Sequence, residues 1–354
     1  MAHISALSIV DSFCGAGGSA LGFKRAGFSI TLGIDNDPAC TSNFAENLHA
    51  KTLTADMFEV APEEILDSAG LSRGDVSVCL GCPPCQGFSS LNAKEGRDRR
   101  NLLVHRFTDV VEAVDPLFFV FENVPGIMEK EWYFQGTLRR AKKAGYSVST
   151  QLADMRDHGV PQRRKRLVIV GCKDPEVMAR FSFPIPSHSK NPVEGHVPWR
   201  TVRDTIKELP PLAAGQSSRV PNHIAGTHSP KIMERIKAVP KDGGSRRNIP
   251  KRLWYRCHKS GNGFNDVLGR MAWDKPSPTI TSGCCNVTKG RFIHPSANRA
   301  ITPREAARLQ TFPDDYVFHG YKEQICSQIG NAFPPLYAQK LARNILIAIG
   351  SQET

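Results

Sequence analysis

The amino-acid sequence predicts an α/β fold, an open Rossmann-like sheet joined to a second, smaller and irregular domain. Three observations predict it. Strand and helix patterns alternate through roughly the first 150 residues, a glycine-rich turn follows the first strand, and beyond Lys173 the periodicity gives way to scattered prolines, glycines and basic residues. Residues 1–172, completed by 325–354, form the expected main domain, and 173–324 form the smaller domain with its hinge. At 354 residues and 40% hydrophobic content the chain can build one large core and a second lobe.

Residues 6–13 read as the first strand. Their apolar run breaks at Asp11 and carries no basic leader, so it is not a signal peptide, and no stretch has the apolar length that crosses a bilayer. A cytoplasmic protein is expected. Cys79, Cys82 and Cys85 lie within seven residues and Cys284 and Cys285 are adjacent, which is no disulfide framework for a chain of this length, so the thiols should be reduced. The turn CGAGGS then opens a helix over 20–26, and residues 30–34 form a second strand closed by Asp35. Gly15, Gly17 and Ala20 satisfy G-x-G-x-x-G/A, and Asp35 lies 20 residues past Gly15, where an acid can hydrogen-bond ribose hydroxyls. This suits a nucleotide-type cofactor without separating a dinucleotide from S-adenosylmethionine, and a plain tight turn is the simpler alternative. A helix and a short strand follow within 29–54, up to Asp56, which either meets an adenine edge or caps a helix.

The central stretch is GCPPCQGFSS, residues 81–90, at the carboxyl end of a buried strand over 76–80. Open α/β sheets place their chemistry there. Pro83 and Pro84 fix φ ahead of Cys85 and forbid a helix, which holds one thiol on a stiff turn; the plainer reading is a small buried hydrophobe. After RDRRN come a helix over 102–114 and a strand over 117–121 that ends in Glu122. A carboxylate directly after Phe118-Phe119-Val120-Phe121 should be poorly hydrated and so suits a proton donor, although a capped turn is also possible. A helix over 130–144, a strand over 146–153 and the basic loop GVPQRRKRLVIVG lead into the last strand of this domain. Near the carboxyl end, TPREAARLQTFP reads as a helix with Thr302 at its cap and Pro303 at its first position, and 336–349 as a helix packing back on the main domain.

Charge is unevenly spread. Residues 156–257 hold 21 Lys and Arg against 8 Asp and Glu, whereas residues 1–155 hold 14 against 19, so the overall +12 is a regional excess. A polyanion is its natural partner; a solvated basic face is the bland alternative, and a membrane surface fits less well because no long amphipathic helix accompanies the charge.

Six motifs then stand in one order: Phe13-Cys14-Gly15-Ala16-Gly17-Gly18, Pro83-Pro84-Cys85-Gln86, Glu122-Asn123-Val124, Gln162-Arg163-Arg164-Lys165-Arg166, Arg304-Glu305-Ala306-Ala307-Arg308-Leu309-Gln310 and Gln328-Ile329-Gly330-Asn331. In this order, with a variable basic region between the fourth and fifth, the chain resembles the DNA cytosine-5 methyltransferases over nearly its whole length. The resemblance implies a methyltransferase sheet with a smaller DNA-recognition domain. It implies a flipped-out cytosine, attacked at carbon 6 by Cys85, with Glu122 at ring nitrogen 3, and with Arg164 and secondarily Arg166 stabilising the developing charge.

S-adenosylmethionine would be held by Phe13, Gly15, Ala16, Gly18, Asp35, Asn36, Asp56, Met57, Pro84, Asn331 and Ala332. Gln86, Ser89, Arg100 and Thr279 would contact the DNA around the flipped nucleotide. Cys14, Asp35, Cys82 and Ala332-Phe333 depart from the commonest pattern, and the shorter Asp35 could weaken the ribose contact. The implied partners are double-stranded DNA and a restriction endonuclease of the same site, with no metal, no membrane and a monomeric chain. Cys82 and Cys85 also form a C-x-x-C, which leaves a redox dithiol as a competing reading. A Rossmann oxidoreductase would share the glycine turn but has no use for Cys85, Glu122 and Arg164 together. A basic DNA-binding protein without turnover need not keep the nucleophile. A tRNA-modifying relative carries a Cys-Phe-Thr signature that this sequence lacks.

Overall fold

The computed structural model describes residues 7–84, 98–260 and 264–350. In chain order the elements are β1 (Ser8–Asp11), α1 (Gly18–Ala26), β2 (Ser29–Asp35), α2 (Pro38–Leu48), β3 (Lys51–Thr54), α3 (Pro62–Ala69), β4 (Val78–Gly81), α4 (Leu103–Val114), β5 (Phe118–Asn123), α5 (Glu131–Lys143), β6 (Ser147–Asp154), β7 (Lys165–Cys172) and α6 (Pro175–Arg180). Next come α7 (Val202–Ile206), α8 (Pro230–Ala238), α9 (Arg256–Lys259), α10 (Pro303–Leu309), α11 (Lys322–Asn331) and α12 (Pro335–Ile349).

Two compact units result. The first comprises Met1–Asp154, Lys165–Ile185 and Phe333–Thr354, and the second Met155–Arg164 and Pro186–Ala332. The boundaries read from the sequence, after 172 and before 325, therefore shift. Residues 173–185 continue from β7 through α6, whose Arg180 Nε donates to the Ala348 carbonyl at 2.9 Å, within the first unit. Residues 155–164 instead bond within the second unit, where Arg163 N donates to the Ser277 carbonyl at 2.9 Å.

The first unit is a seven-stranded sheet in the order β3-β2-β1-β4-β5-β7-β6. β1 to β5 run parallel, and β7 pairs antiparallel with both β5 and β6. The strand order reverses between β1 and β4, so their carboxyl ends border the crevice where such sheets bind ligands. β5 is buried at every residue, as a central strand covered on both faces must be. One face packs Val10, Cys79, Phe119 and Phe121 against Phe107, Val110 and Val111 of α4 and Ile65 of α3. Strand alternation sends Ile9, Val78, Leu80, Phe118 and Val120 to the other face. The sequence ends β5 at Phe121, but the ladder continues because Glu122 pairs with Val168 and Asn123 with Leu167 of β7, a partner invisible to local pattern. α3 was also not read from the sequence, since its eight residues offer too little periodicity.

Gly22 of α1 is where α12 comes closest. A Cβ there would lie 2.5 Å from Ala338 Cβ and 2.6 Å from the Pro335 carbonyl oxygen, both rigid neighbours. Gly22→Ala should therefore cost about 1–3 kcal/mol by overpacking, read as a lower denaturant midpoint at unchanged slope.

Within the second unit, α10 has the cap the sequence predicts. Thr302 Oγ1 accepts from Glu305 N at 3.1 Å, and Glu305 Oε2 accepts from Thr302 N at 2.7 Å. The same carboxylate is gripped by the buried Arg299 at 2.7 and 2.8 Å. Arg270, fully buried, donates to the carbonyls of His294, Ala297, Ile236 and Val239. Arginine thus closes backbone ends in a unit with few ladders of its own. Among the described residues, no helix is long and apolar enough to cross a membrane.

Candidate active site

β1 ends at Asp11, and the chain then turns across the carboxyl ends of its two neighbours. Ser12 N donates to the Leu80 carbonyl and Cys14 N to the Ile34 carbonyl, each at 2.9 Å. Gly15 (φ 49°) and Gly17 (φ 84°) adopt left-handed backbone that most side chains avoid, and Gly17 caps α1. A Cβ on Gly15 would meet nothing within 4 Å, so this turn opens onto free space where a ligand can reach the backbone.

Asp35 closes β2 beside it. Its Oδ2 accepts from Gly15 N at 2.9 Å and its Oδ1 from Asp37 N at 3.0 Å. Burial raises its pKa, partly offset by these backbone donors. The acid expected 20 residues past Gly15 is therefore physically joined to it, with lone pairs remaining for ribose hydroxyls. Phe13 is half-buried and packs on the core, and Asn36 is exposed just beyond β2. Ala16 and Gly18 are buried in the turn and the first residue of α1. Asp56 is exposed and its Oδ1 accepts from Phe58 N at 2.9 Å, a local turn that leaves the other oxygen to solvent or ligand. The Met57 side chain is 97% out of solvent within the core and its carbonyl accepts from Arg106 Nε at 2.8 Å, so only its backbone N–H is left for an adenine edge.

Asp11 is a site residue that the sequence reading passed over. It is 1% exposed, and neither carboxylate oxygen has a hydrogen-bond partner. Burial pushes its pKa up to about 7; the nearby Phe13 backbone N–H offsets part of this, and the negative charge of Asp35 adds to it. A buried carboxylate without a donor beside an open glycine turn calls for a cationic or N–H-bearing ligand. Its signal in the sequence was present: an acid at the last position of β1, directly before the glycine turn.

The second half of the site sits on β4 and β5, paired in parallel register with Gly81 opposite Phe121. Asn123 Nδ2 donates to the Pro83 carbonyl at 3.2 Å, tying the proline turn to the end of β5. Cys85, Gln86 and Ser89 lie outside the described residues. Pro84, the last described residue before them, is half-buried. Cys82 is packed beside Glu122 and 3.5 Å from Ser19 Oγ. Burial and the Glu122 charge push its thiol well above the usual range, which makes Cys82 a poor redox partner.

Glu122 is 6% exposed, and Arg166 Nε lies 2.6 Å from its Oε1. The expected acid is thus held by Arg166, the third arginine of the QRRKR segment. Gln162 and Arg164, at alternate positions before it, are structural inside the second unit. Arg164, 1% exposed, donates from Nη1 to the carbonyls of Ile280 (3.0 Å) and Gly330 (3.2 Å) and from Nη2 to that of Ala332 (2.9 Å). Gln162 Nε2 donates to the Leu309 carbonyl at 3.1 Å, and its Oε1 accepts from Ile280 N at 3.1 Å. Thr279 Oγ1 donates to the Arg163 carbonyl, and exposed Asn331 donates from Nδ2 to Ser327 Oγ at 3.3 Å. In the first unit, exposed Arg100 grips Asp98 through Nε (3.0 Å) and Nη2 (2.7 Å). The resemblance ranks Arg164 ahead of Arg166, but which of two alternate residues meets Glu122 depends on the β5–β7 register, and here it is Arg166.

A sequence profile described as "C-5 cytosine-specific DNA methylase" matches residues 7–346. The chain is 36% identical to "Type II methyltransferase M1.HphI" of Haemophilus parahaemolyticus, over 97% of this chain and 88% of that protein. It is 33% identical to "Type II methylase M.HgiDII" of Herpetosiphon aurantiacus, over 96% of this chain and 94% of that one. The crystal structure of a DNA modification methyltransferase encoded within an E. coli prophage superposes with a TM-score of 0.73 at 24% identity, covering 98% of this chain and 100% of that one, which shows a common fold.

Proposed function

Because this chain belongs to the C-5 cytosine-specific DNA methylase family, we propose that it moves a methyl group from S-adenosylmethionine to carbon 5 of a cytosine flipped out of a specific duplex sequence. Cys85 adds to carbon 6 as a thiolate, which turns the ring into an enamine nucleophilic at carbon 5. Glu122 offers a proton to ring nitrogen 3 as negative charge develops there, and Arg166 holds the Glu122 carboxylate in place and adds a fixed positive charge. The bound cofactor supplies an electrophilic methyl. Loss of the carbon 5 proton then restores the double bond and expels Cys85. The observation that carries this reading is the buried Glu122–Arg166 pair at the end of β5, tied by Asn123 to the turn that leads into Cys85.

The residues fit the cofactor. Asp11, buried and lacking a donor, suits the methionine ammonium; Gly15 opens the turn; Asp35 has capacity for the ribose. The family resemblance adds Asn331 and Ala332 as proposed cofactor contacts.

Asp11 gives a pH test whose sign is fixed. Its folded pKa of about 7 lies above the ordinary 3.8, so its contribution to the cofactor-free fold is full below 3.8 and is lost as pH rises through 7. Asp11→Asn should therefore stabilise the cofactor-free protein at pH 8 and not at pH 3.5, seen as a thermal-melt difference. The same substitution should weaken S-adenosylmethionine binding at least about tenfold at pH 8 and flatten its rise in affinity between pH 6 and 8. An affinity unchanged by the substitution would remove Asp11 from the site.

The relatives are named Type II methyltransferases. We extend to this chain a duplex DNA site shared with a restriction endonuclease. Mapping 5-methylcytosine on a plasmid from expressing cells tests the duplex site, since methylation at one defined sequence supports it, and protection of that sequence from an endonuclease that cuts it tests the sharing. Labelled methyl entering tRNA and no plasmid site would favour the tRNA alternative. DNA carrying 5-fluorocytosine in the mapped site should form a gel-stable adduct, because fluorine cannot leave as a proton does; an active enzyme that forms none would refute the covalent step.

A further inference from the structure

The second unit holds a group of thiols that methyl transfer does not use. Cys284, Cys285 and Cys326 are 0%, 3% and 2% exposed. Their three Sγ atoms all lie within 4.8 Å of one another, and Cys284 and Cys285 are 3.9 Å apart at sulfur. Neighbouring residues in an extended chain point their side chains apart. Here a turn closed by Cys284 N donating to the Thr281 carbonyl at 3.0 Å brings both thiols to one side. The third arrives on α11. Gly330, one turn beyond Cys326, lets this helix touch the turn directly: a Cβ there would lie 2.1 Å from Thr281 C and 2.3 Å from Ser282 N. Arg164 fixes the same two segments by bonding the Ile280 and Gly330 carbonyls. The sulfurs are thus brought together by a backbone turn, a close approach at Gly330 and a buried arginine side chain.

We propose that Cys284, Cys285 and Cys326 form a closed binding site for a three-coordinate thiophilic ion. The spacing fits. With a metal–thiolate bond of about 2.3 Å, three sulfurs around a trigonal ion stand about 4.0 Å apart. Among the described residues no His, Asp, Glu or further Cys joins the group, so the donor set is three sulfurs. Zinc prefers four ligands, whereas Cu(I) and As(III) accept three thiolates. Burial separates these two. Arsenite, As(OH)3, takes three thiols, forms three As–S bonds and releases three waters, leaving a neutral group in a dry site. Cu(I) displaces the thiol protons to solvent and leaves net negative charge, which the nearby Lys322 ammonium offsets only in part. The ion would join the turn after Thr279 to the helix that ends in Asn331. The sequence reading expected no metal, because Cys284 and Cys285 are adjacent and not spaced as a ligand pair; Cys326, on α11, escaped it.

The test uses the full chain with Cys257, an exposed thiol among the described residues, replaced by Ser to remove a competing ligand. Arsenite in one arm, and Cu(I) against a chromogenic chelator under anaerobic conditions in the other, are titrated with native mass spectrometry as readout. One equivalent should bind in at least one arm, raise the melting temperature, and show three sulfur neighbours by X-ray absorption. Cys326→Ser and Cys284→Ser should each weaken uptake at least tenfold, whereas Cys14→Ser, in the first unit, should not. Failure of both ions to bind or to raise the melting temperature of the folded parent would overturn the proposal. So would equal uptake by the parent and a folded Cys326→Ser variant.

Discussion

Cys85→Ala should abolish methyl transfer from labelled S-adenosylmethionine to unmethylated duplex DNA, with turnover falling by more than about 10⁴-fold. Cytosine carbon 5 is a poor nucleophile until a group adds at carbon 6, so nothing in the site substitutes for the thiolate. Cofactor and DNA binding should survive, because Asp11, Gly15 and Asp35 are untouched. Cys82 cannot take over, since burial and the Glu122 charge hold its thiol protonated. Turnover within tenfold of the parent would end the covalent scheme.

The second large effect separates two arginines that are close in sequence and different in surroundings. Glu122→Gln should lower kcat by about 10²–10⁴-fold with KM for DNA little changed. Arg166→Ala should lower kcat comparably and also destabilise the fold, because it leaves a carboxylate that is 6% exposed without its counter-charge. Arg164→Ala should show the opposite balance. Its guanidinium bonds three backbone carbonyls within the second unit, and their loss should lower the melting temperature clearly. At a temperature where Arg164→Ala remains folded, its kcat should exceed that of Arg166→Ala. Steady-state kinetics paired with thermal melts decide the matter, and a kcat loss confined to Arg164→Ala would return the catalytic role to that residue.

Much of this was legible in the chain because its signals are local. The glycine turn and Asp35 are read from spacing along one β-α-β segment, and the structure joins them by a single hydrogen bond from Gly15 N to Asp35 Oδ2. Thr302, Pro303 and Glu305 announce α10 because a capping box is contained in four residues. Glu122 was legible as a poorly hydrated acid because an aromatic run precedes it.

What stayed hidden depended on partners far along the chain. The carboxyl end of β5 is set by its ladder with β7, and that register alone brings Arg166 to Glu122 and leaves Arg164 among the carbonyls of residues 280, 330 and 332. The isolation of Asp11 is a lack of donors around a buried group, and no residue pattern records a missing neighbour. The domain boundaries moved for the same reason, since residues 155–164 follow the bonds of Gln162, Arg163 and Arg164 and not their own composition. The sequence by itself determined the fold class and the glycine turn with its Asp35 partner, because backbone stereochemistry and short spacings encode them. Only the tertiary structure decided which arginine faces the acid, which carboxylate lacks a partner and which three thiols meet, because those depend on strand register and on how closely a helix can approach a turn.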